Sequence, residues 1–195
     1  MLLRRTAGPS ALPLTLAEAK AHLRVDGSAE DALVALYLDA AVTAVEAETG
    51  RALLPQDWEL QLDGFPASRE PVDLPIAPAM SITSVITVSA AGVQITLAGT
   101  AYQVQLPAGP WAERGRLFPP AGQDWPATDE GVSGAVRVLY RAGYASAAEV
   151  PAPLRHAALL ALGDFYANRE QAGATKVTDN PAFARLIAPF RLPTL

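Results

Sequence analysis

Cysteine is absent from the chain and histidine occurs only twice, and these two scarcities exclude whole classes of chemistry. Without a thiol there is no disulfide framework, no cysteine nucleophile and no thiolate metal site. His22 and His156 are the only side chains whose ordinary pKa lies near neutrality. Each accompanies an arginine in a predicted helix, His22 before Leu23-Arg24 and His156 after Arg155, and neither belongs to a His-x-x-x-His or His-Glu-x-x-His pair. Both read as surface or helix-packing imidazoles, so no catalytic residue, metal ligand or cofactor site is assigned. Also missing are a Gly-x-Ser-x-Gly nucleophile elbow, a Gly-x-x-x-x-Gly-Lys-Ser/Thr loop and a Gly-x-Gly-x-x-Gly turn. The carboxylates close in sequence, Glu46 with Glu48, Asp57 with Glu59 and Asp129 with Glu130, are adjacent or two apart and do not converge on one helical face. They read as solvated charge.

Charge is sparse as well. Charged residues make up 18% of the 195, below the roughly 25% of ordinary soluble domains, while half the chain is apolar. The length fits one domain, with or without a smaller satellite, and the apolar fraction supplies a core with enough left for a subunit interface. No apolar run reaches the roughly 18 residues that cross a bilayer, and Met1-Leu-Leu-Arg-Arg5 turns into Gly8-Pro9 without the apolar stretch of a secretory signal. No membrane partner is expected, and the protein is expected to stay in the cell that makes it. A net charge of -5 argues against a general nucleic-acid binder, whose affinity comes mainly from neutralising phosphates. Arg4-Arg5 and the pair Arg114 and Arg116 are too short for a phosphate-tracking stripe, and Trp111 and Trp125 read as packing anchors.

What is present falls into three textures: Ala/Leu-rich at 15–50, rich in Pro, Gly, Val, Ile and Thr at 51–148, and Ala/Leu-rich again at 151–170. Thr15-Leu-Ala-Glu18 has capping-box spacing and predicts a helix to about Leu23. Ser28-Ala-Glu-Asp31 starts a second helix that ends at Thr49-Gly50. Along it, Leu33, Leu36, Tyr37, Ala40, Ala41 and Ala44 form one apolar stripe, and Val34, Leu38, Val42 and Val45 form another. Two stripes need two covering surfaces, so this helix is either central to the domain or shared between subunits. Alternating runs at Trp58–Leu62, Ile82–Val88, Val93–Leu97 and Tyr102–Leu106 predict half-buried strands, with a hairpin at Ala90-Ala91-Gly92 and a last strand at Gly134–Tyr140. Pro151 and Pro153 open the final long helix, whose inner face is Leu154, Ala157, Ala158, Ala161, Leu162 and Phe165, with Leu159, Leu160 and Tyr166 widening the apolar arc. A short helix is expected at 181–188, followed by the tail Pro189-Phe-Arg-Leu-Pro-Thr-Leu195. That tail has little of its own to pack on, so a partner's groove is the expected seat and a disordered end the other reading.

The fold expected is α+β: N-terminal and C-terminal helices packed together, with a small antiparallel sheet or sandwich inserted and an extended C-terminal tail. Its parts are an N-terminal arm at 1–14, a helical core at 15–50 and 151–172, a β-rich insertion at 51–148 and a tail at 173–195.

Several segments, in order, resemble the head-tail connector (adaptor) proteins of tailed phages. They are Leu14-Thr-Leu-Ala-Glu-Ala-Lys-Ala-His-Leu-Arg-Val25, Glu46-Ala-Glu-Thr-Gly-Arg-Ala-Leu53, Gln56-Asp-Trp-Glu-Leu-Gln-Leu62, Val72-Asp-Leu-Pro-Ile-Ala-Pro78 and Val136-Arg-Val-Leu-Tyr-Arg-Ala-Gly-Tyr144. Val150-Pro, an apolar helix, Tyr166-Ala-Asn-Arg-Glu170 and a terminal Pro-Phe-Arg complete the match. The resemblance covers nearly the whole chain and includes the adaptors of phage-like gene transfer agents.

The resemblance implies a structural protein, not an enzyme, that needs no cofactor. Its copies would form a ring, dodecameric when assembled, between a capsid portal and the tail-side stopper or tail terminator proteins. DNA would pass through the lumen without sequence-specific binding. The place implied is the head-tail junction of a virion or phage-like particle, assembled in the bacterial cytoplasm. In that role the candidate subunit interface is Leu33, Leu36, Tyr37, Val42, Val45, Leu159, Leu162 and Tyr166, with an ordinary internal core as the competing reading. The candidate portal anchor is Phe190, Arg191, Leu192 and Leu195. The rival class is a monomeric ligand- or protein-binding module built on the middle sheet.

Overall fold

The computed structural model describes every residue except 68, 90, 130, 169–179 and 194–195. The chain divides into two units, one built from residues 10–54 and 144 onward, the other from residues 1–9 and 55–143.

The first unit is helical: α1 (Leu16–Leu23), α2 (Asp31–Thr49), α3 (Ala152–Ala167) and the short α4 (Pro181–Ile187). The capping box that opens α1 forms as the spacing requires, Glu18 N donating to the Thr15 hydroxyl at 3.2 Å and Thr15 N to the Glu18 carboxylate at 2.7 Å. Helix α2 stops where Gly50 takes the left-handed conformation (φ 69°) and donates its N–H to the Glu46 carbonyl. It starts at Glu30 without a side-chain cap. Helix α3 has Pro151 and Pro153 around its first turn, where a missing N–H breaks no hydrogen bond. Asn180 caps α4, its side-chain oxygen accepting from Ala182 N and Phe183 N.

One stripe of α2 (Val34, Leu38, Ala41, Val42, Val45) meets the inner face of α3 (Leu154, Ala157, Ala158, Ala161, Leu162), and α4 closes the cluster with Phe183 and Ile187. Phe190, in a 3-10 turn (Ala188–Phe190), completes it. Residues 183, 187 and 190 repeat at helical spacing, so all three point the same way. Burying each contributes roughly 1.5–3 kcal/mol relative to exposure.

The second unit holds two antiparallel sheets. The larger has the order β1-β2-β8-β4-β5, built from β1 (Leu2–Ala7), β2 (Gln56–Leu62), β8 (Val136–Ala142), β4 (Ala79–Val88) and β5 (Gln94–Thr96). The smaller has the order β3-β7-β6, from β3 (Val72–Asp73), β7 (Arg116–Phe118) and β6 (Gln103–Gln105). Central β8 alternates strictly. Val136, Val138, Tyr140 and Ala142 are buried while Arg137, Leu139 and Arg141 face the other way. Register puts Leu60 opposite Val138 and Val85 opposite Val138 from the other side, a fully buried row across three strands. The Tyr140 hydroxyl accepts from Ile76 N at 3.3 Å, and burial pushes its pKa upward. Gly115, just before β7, fits where no larger residue would: a Cβ there would stand 2.8 Å from Ala79 Cβ and 2.9 Å from Leu106 Cδ2.

The α+β class is as expected. Three boundaries differ. The expected arm at 1–14 contains β1, which pairs with β2 from Leu2↔Gln61 onward. Residues 51–54, assigned by composition to the insertion, are buried and belong to the helical unit. The expected extended tail instead carries α4 and the 3-10 turn into the helical core.

Candidate functional site and assembly surfaces

The groups that chemistry would need are engaged elsewhere. Asp57 pairs with Arg141 at 3.9 Å, Glu59 with Arg4, and Glu48 with Arg191 at 2.6 Å. Glu46 accepts the Leu53 N–H at 2.8 Å. His22 and His156 are both exposed, and among the described residues no three His, Cys, Asp or Glu side chains are grouped to hold a metal ion. The arginine pairs are spent too: Arg114 donates to the Pro75 carbonyl at 3.3 Å, Arg116 pairs with Asp73 at 2.9 Å and Arg5 donates to Gln56 at 3.4 Å. Trp125 packs as read, its ring stacked on Phe65 with centroids 4.4 Å apart and its indole N–H donating to the Glu70 carbonyl. Trp111 is largely exposed. Beside the Phe65–Trp125 stack is an open depression whose charges, Arg69 and Asp124, pair with each other at 3.1 Å.

The candidate interface residues separate into two groups. Val42, Val45 and Leu162 are fully covered within the helical unit, so they pack the chain's own core and meet no neighbour. Val42 and Val45 belong to the α2 stripe that α3 covers and Leu162 to the α3 face that covers it, and sequence periodicity does not reveal which of two apolar stripes faces inward. Tyr37, Leu159 and Tyr166 are half-buried at the rim of that core, Leu33 is half-buried, and Leu36 is 63% exposed. Tyr166 is held by a hydrogen bond from its hydroxyl to the Glu30 carboxylate. The outward face of α2 is built from Ala32, Ala35, Leu36, Asp39, Ala40, Thr43 and Ala47, all exposed and with a single charge among them. A helix face destined for water ordinarily carries more charge than this.

The portal-anchor set is rearranged more strongly. Phe190 is 1% exposed and inside the helical core, so it is not free to enter a partner's groove. Its carbonyl accepts from buried Arg51 Nε at 2.7 Å. The next residues run along the C-terminal end of α2: Leu192 N donates to the Thr49 carbonyl at 3.0 Å, and the Leu192 side chain stands over Gly50, where a Cβ would meet its Cδ1 at 3.5 Å. Arg191 is exposed and bridges to Glu48. Leu195 lies outside the described residues, as do Arg169 and Glu170. The residues that sequence reasoning missed are Arg51 and Phe183; the i, i+4, i+7 pattern of 183, 187 and 190 was the available signal.

A family model of phage gp6-like head-tail connector proteins matches residues 13–97, from α1 through β5. Solved structures extend the likeness to the whole chain. A chain in the neck of an empty GTA particle, computed with C6 symmetry, superposes with a TM-score of 0.80 at 27% identity, covering 100% of this chain and 97% of that one. One in the virion of a native gene transfer agent (GTA) particle gives 0.79 at 28% identity, with the same coverage. A third, in the neck of a native GTA particle computed with C12 symmetry, gives 0.77 at 27%, again covering 100% and 97%. No curated protein matches the chain. The fold is therefore that of a particle neck protein, and residues 13–97 are similar to head-tail connector sequences. The role is that of a structural connector, not of an enzyme.

Proposed function

We propose that this chain is one subunit of a ring at the head-tail junction of a phage-like particle, seated between a capsid portal and the tail-side stopper or tail terminator proteins, with a central channel for DNA. The observation that carries the reading is the end-to-end likeness to chains from GTA necks solved with sixfold and twelvefold symmetry; twelve copies is the ring size proposed. A ring built by rotation joins one face of each subunit to a different face of the next, and the charge-poor outer face of α2 around Leu36 is offered as one of them. Arg191, exposed on the docked C-terminal segment, is proposed to face the portal in place of Phe190. A net charge of -5 suits a passage that DNA must slide through without being retained. Assembly is proposed to take place in the bacterial cytoplasm.

Electron microscopy of the chain mixed with a portal protein from the same genome tests this. The expected result is a twelvefold ring of this chain on one end of the portal, and a portal left bare would overturn the reading. A ring lumen densely lined with Lys and Arg would overturn the argument for DNA passage.

A further inference from the structure

The β unit exposes four sheet edges, and they are not alike. Edge strands present unpaired N–H and C=O groups, and proteins ordinarily guard them with charge or proline. At β1 the guards are Arg4 and Arg5, and at β3 they are Asp73 between Pro71 and Pro75. The other two edges, β5 and β6, carry no charge; each is three residues long, and Pro107 follows β6 as Pro75 follows β3. Both belong to one segment, because the chain carries no Asp, Glu, Lys, Arg or His between Asp73 and Glu113. Every described residue from 91 to 96 is exposed, as are 103 to 105, and the exposed set includes Val93 (56%), Ile95 (57%) and Val104 (44%).

We infer that the segment from Ser89 to Gln105, with its two uncharged strand edges, is a self-association surface covered by a neighbouring copy of this chain. The inference rests on the ring reading above. Charge selects the occupant. Each copy carries a net -5, so copies repel one another unless they meet where charge is missing, and this segment lies within residues 74–112, the longest uncharged run in the sequence. Nucleic acid would require cations there, and none exist. Open edges give a neighbouring strand main-chain hydrogen bonds, while Val93, Ile95 and Val104 give it apolar contact.

The test uses particles made with the full chain carrying Ile95→p-benzoylphenylalanine, irradiated and separated by mass. The expected product joins two copies of this chain. In particles whose micrographs show the ring, cross-linking to a different protein, or none, would overturn this inference and leave the ring standing. Wild-type particles without any ring would overturn both. As a second arm, Val93→Lys with Ile95→Lys installs the missing guards and should lower incorporation into particles by about tenfold or more. Because both positions are exposed, the thermal midpoint of the isolated chain should stay unchanged. Normal incorporation of the double variant would also overturn the inference.

Discussion

The helical unit and the β unit treat their apolar side chains in opposite ways. In the helical unit the last described turns of chain fold back, so that Phe183, Ile187 and Phe190 disappear into the cluster made by α2 and α3. In the β unit part of a long uncharged stretch stays outside, and Val93, Ile95 and Val104 remain in water. A unit that closes over its own core can fold whatever its neighbours do. One that leaves strand edges and valines exposed is, on the inference drawn above, completed by a neighbouring copy. Apolar composition alone therefore does not tell which residues are left for contacts between copies; exposure and charge do.

The sharpest way to break this comparison is to remove the closing segment. Deleting residues 181–195 takes three fully buried side chains out of the core. At about 3–5 kcal/mol for each large buried side chain lost, the sum rivals the entire stability of a domain. The truncated chain should lose cooperative melting of its helical signal by circular dichroism. The milder Phe190→Ala should cost about 3 kcal/mol in urea unfolding. A truncated chain that melts like the full one would return this segment to the status of a free portal anchor.

The β unit has its own packing limit. Gly115→Ala places a methyl group against Ala79, Leu106 and Leu74, all at 3.0 Å or less, and all three atoms belong to short or branched side chains with little room to withdraw. Overpacking of this kind costs about 1–3 kcal/mol. A smaller loss, about 1 kcal/mol, is expected for Gly50→Ala in the helical unit, where φ is 69° and Leu192 stands 3.5 Å away in ordinary contact. Here backbone conformation, not space, sets the penalty. Comparing the two variants by urea midpoint separates a steric glycine from a conformational one, and equal losses would contradict that assignment.

Local signals carried the sequence reading furthest. Thr15 and Glu18, Gly50, the alternation of β8 and the hairpin before β5 each follow from neighbours within a few residues, and each stands where it was expected. The missed features depend on partners far along the chain. Leu2–Ala7 has no alternation to betray a strand, and only its pairing with β2, more than fifty residues on, makes it one. Strands β3 and β7 are two and three residues long among prolines, too short for periodicity to register. For the candidate site, periodicity placed Leu36 and Leu162 in the same apolar class, yet one is outside and the other inside. Which stripe faces the core is decided by α3 and α4, and no pattern within α2 encodes it. The charge-free run was visible in the sequence, but its meaning depended on knowing that it forms two edges.

The smallest effect concerns the guarded edge. Arg4 of β1 holds Glu59 of β2, and this hydrogen bond is the main cause that keeps the Glu59 carboxyl below its ordinary value of 4.5; Gln61 and the charge of Arg137 add to it, against burial. A carboxylate depressed in the folded state stabilises the fold fully above the unfolded value, and that contribution is lost as pH falls through the folded value. Wild type should therefore lose stability as pH falls below about 4.5 more steeply than Glu59→Gln does. At neutral pH the variant should cost no more than about 1 kcal/mol, because the Arg4 side chain is 63% exposed and water screens the pair. Urea midpoints measured from neutral pH downward check both statements: the two curves should converge in acid. Parallel curves would mean that Arg4 sits on this edge as a guard against stray strands and adds nothing to the fold through Glu59.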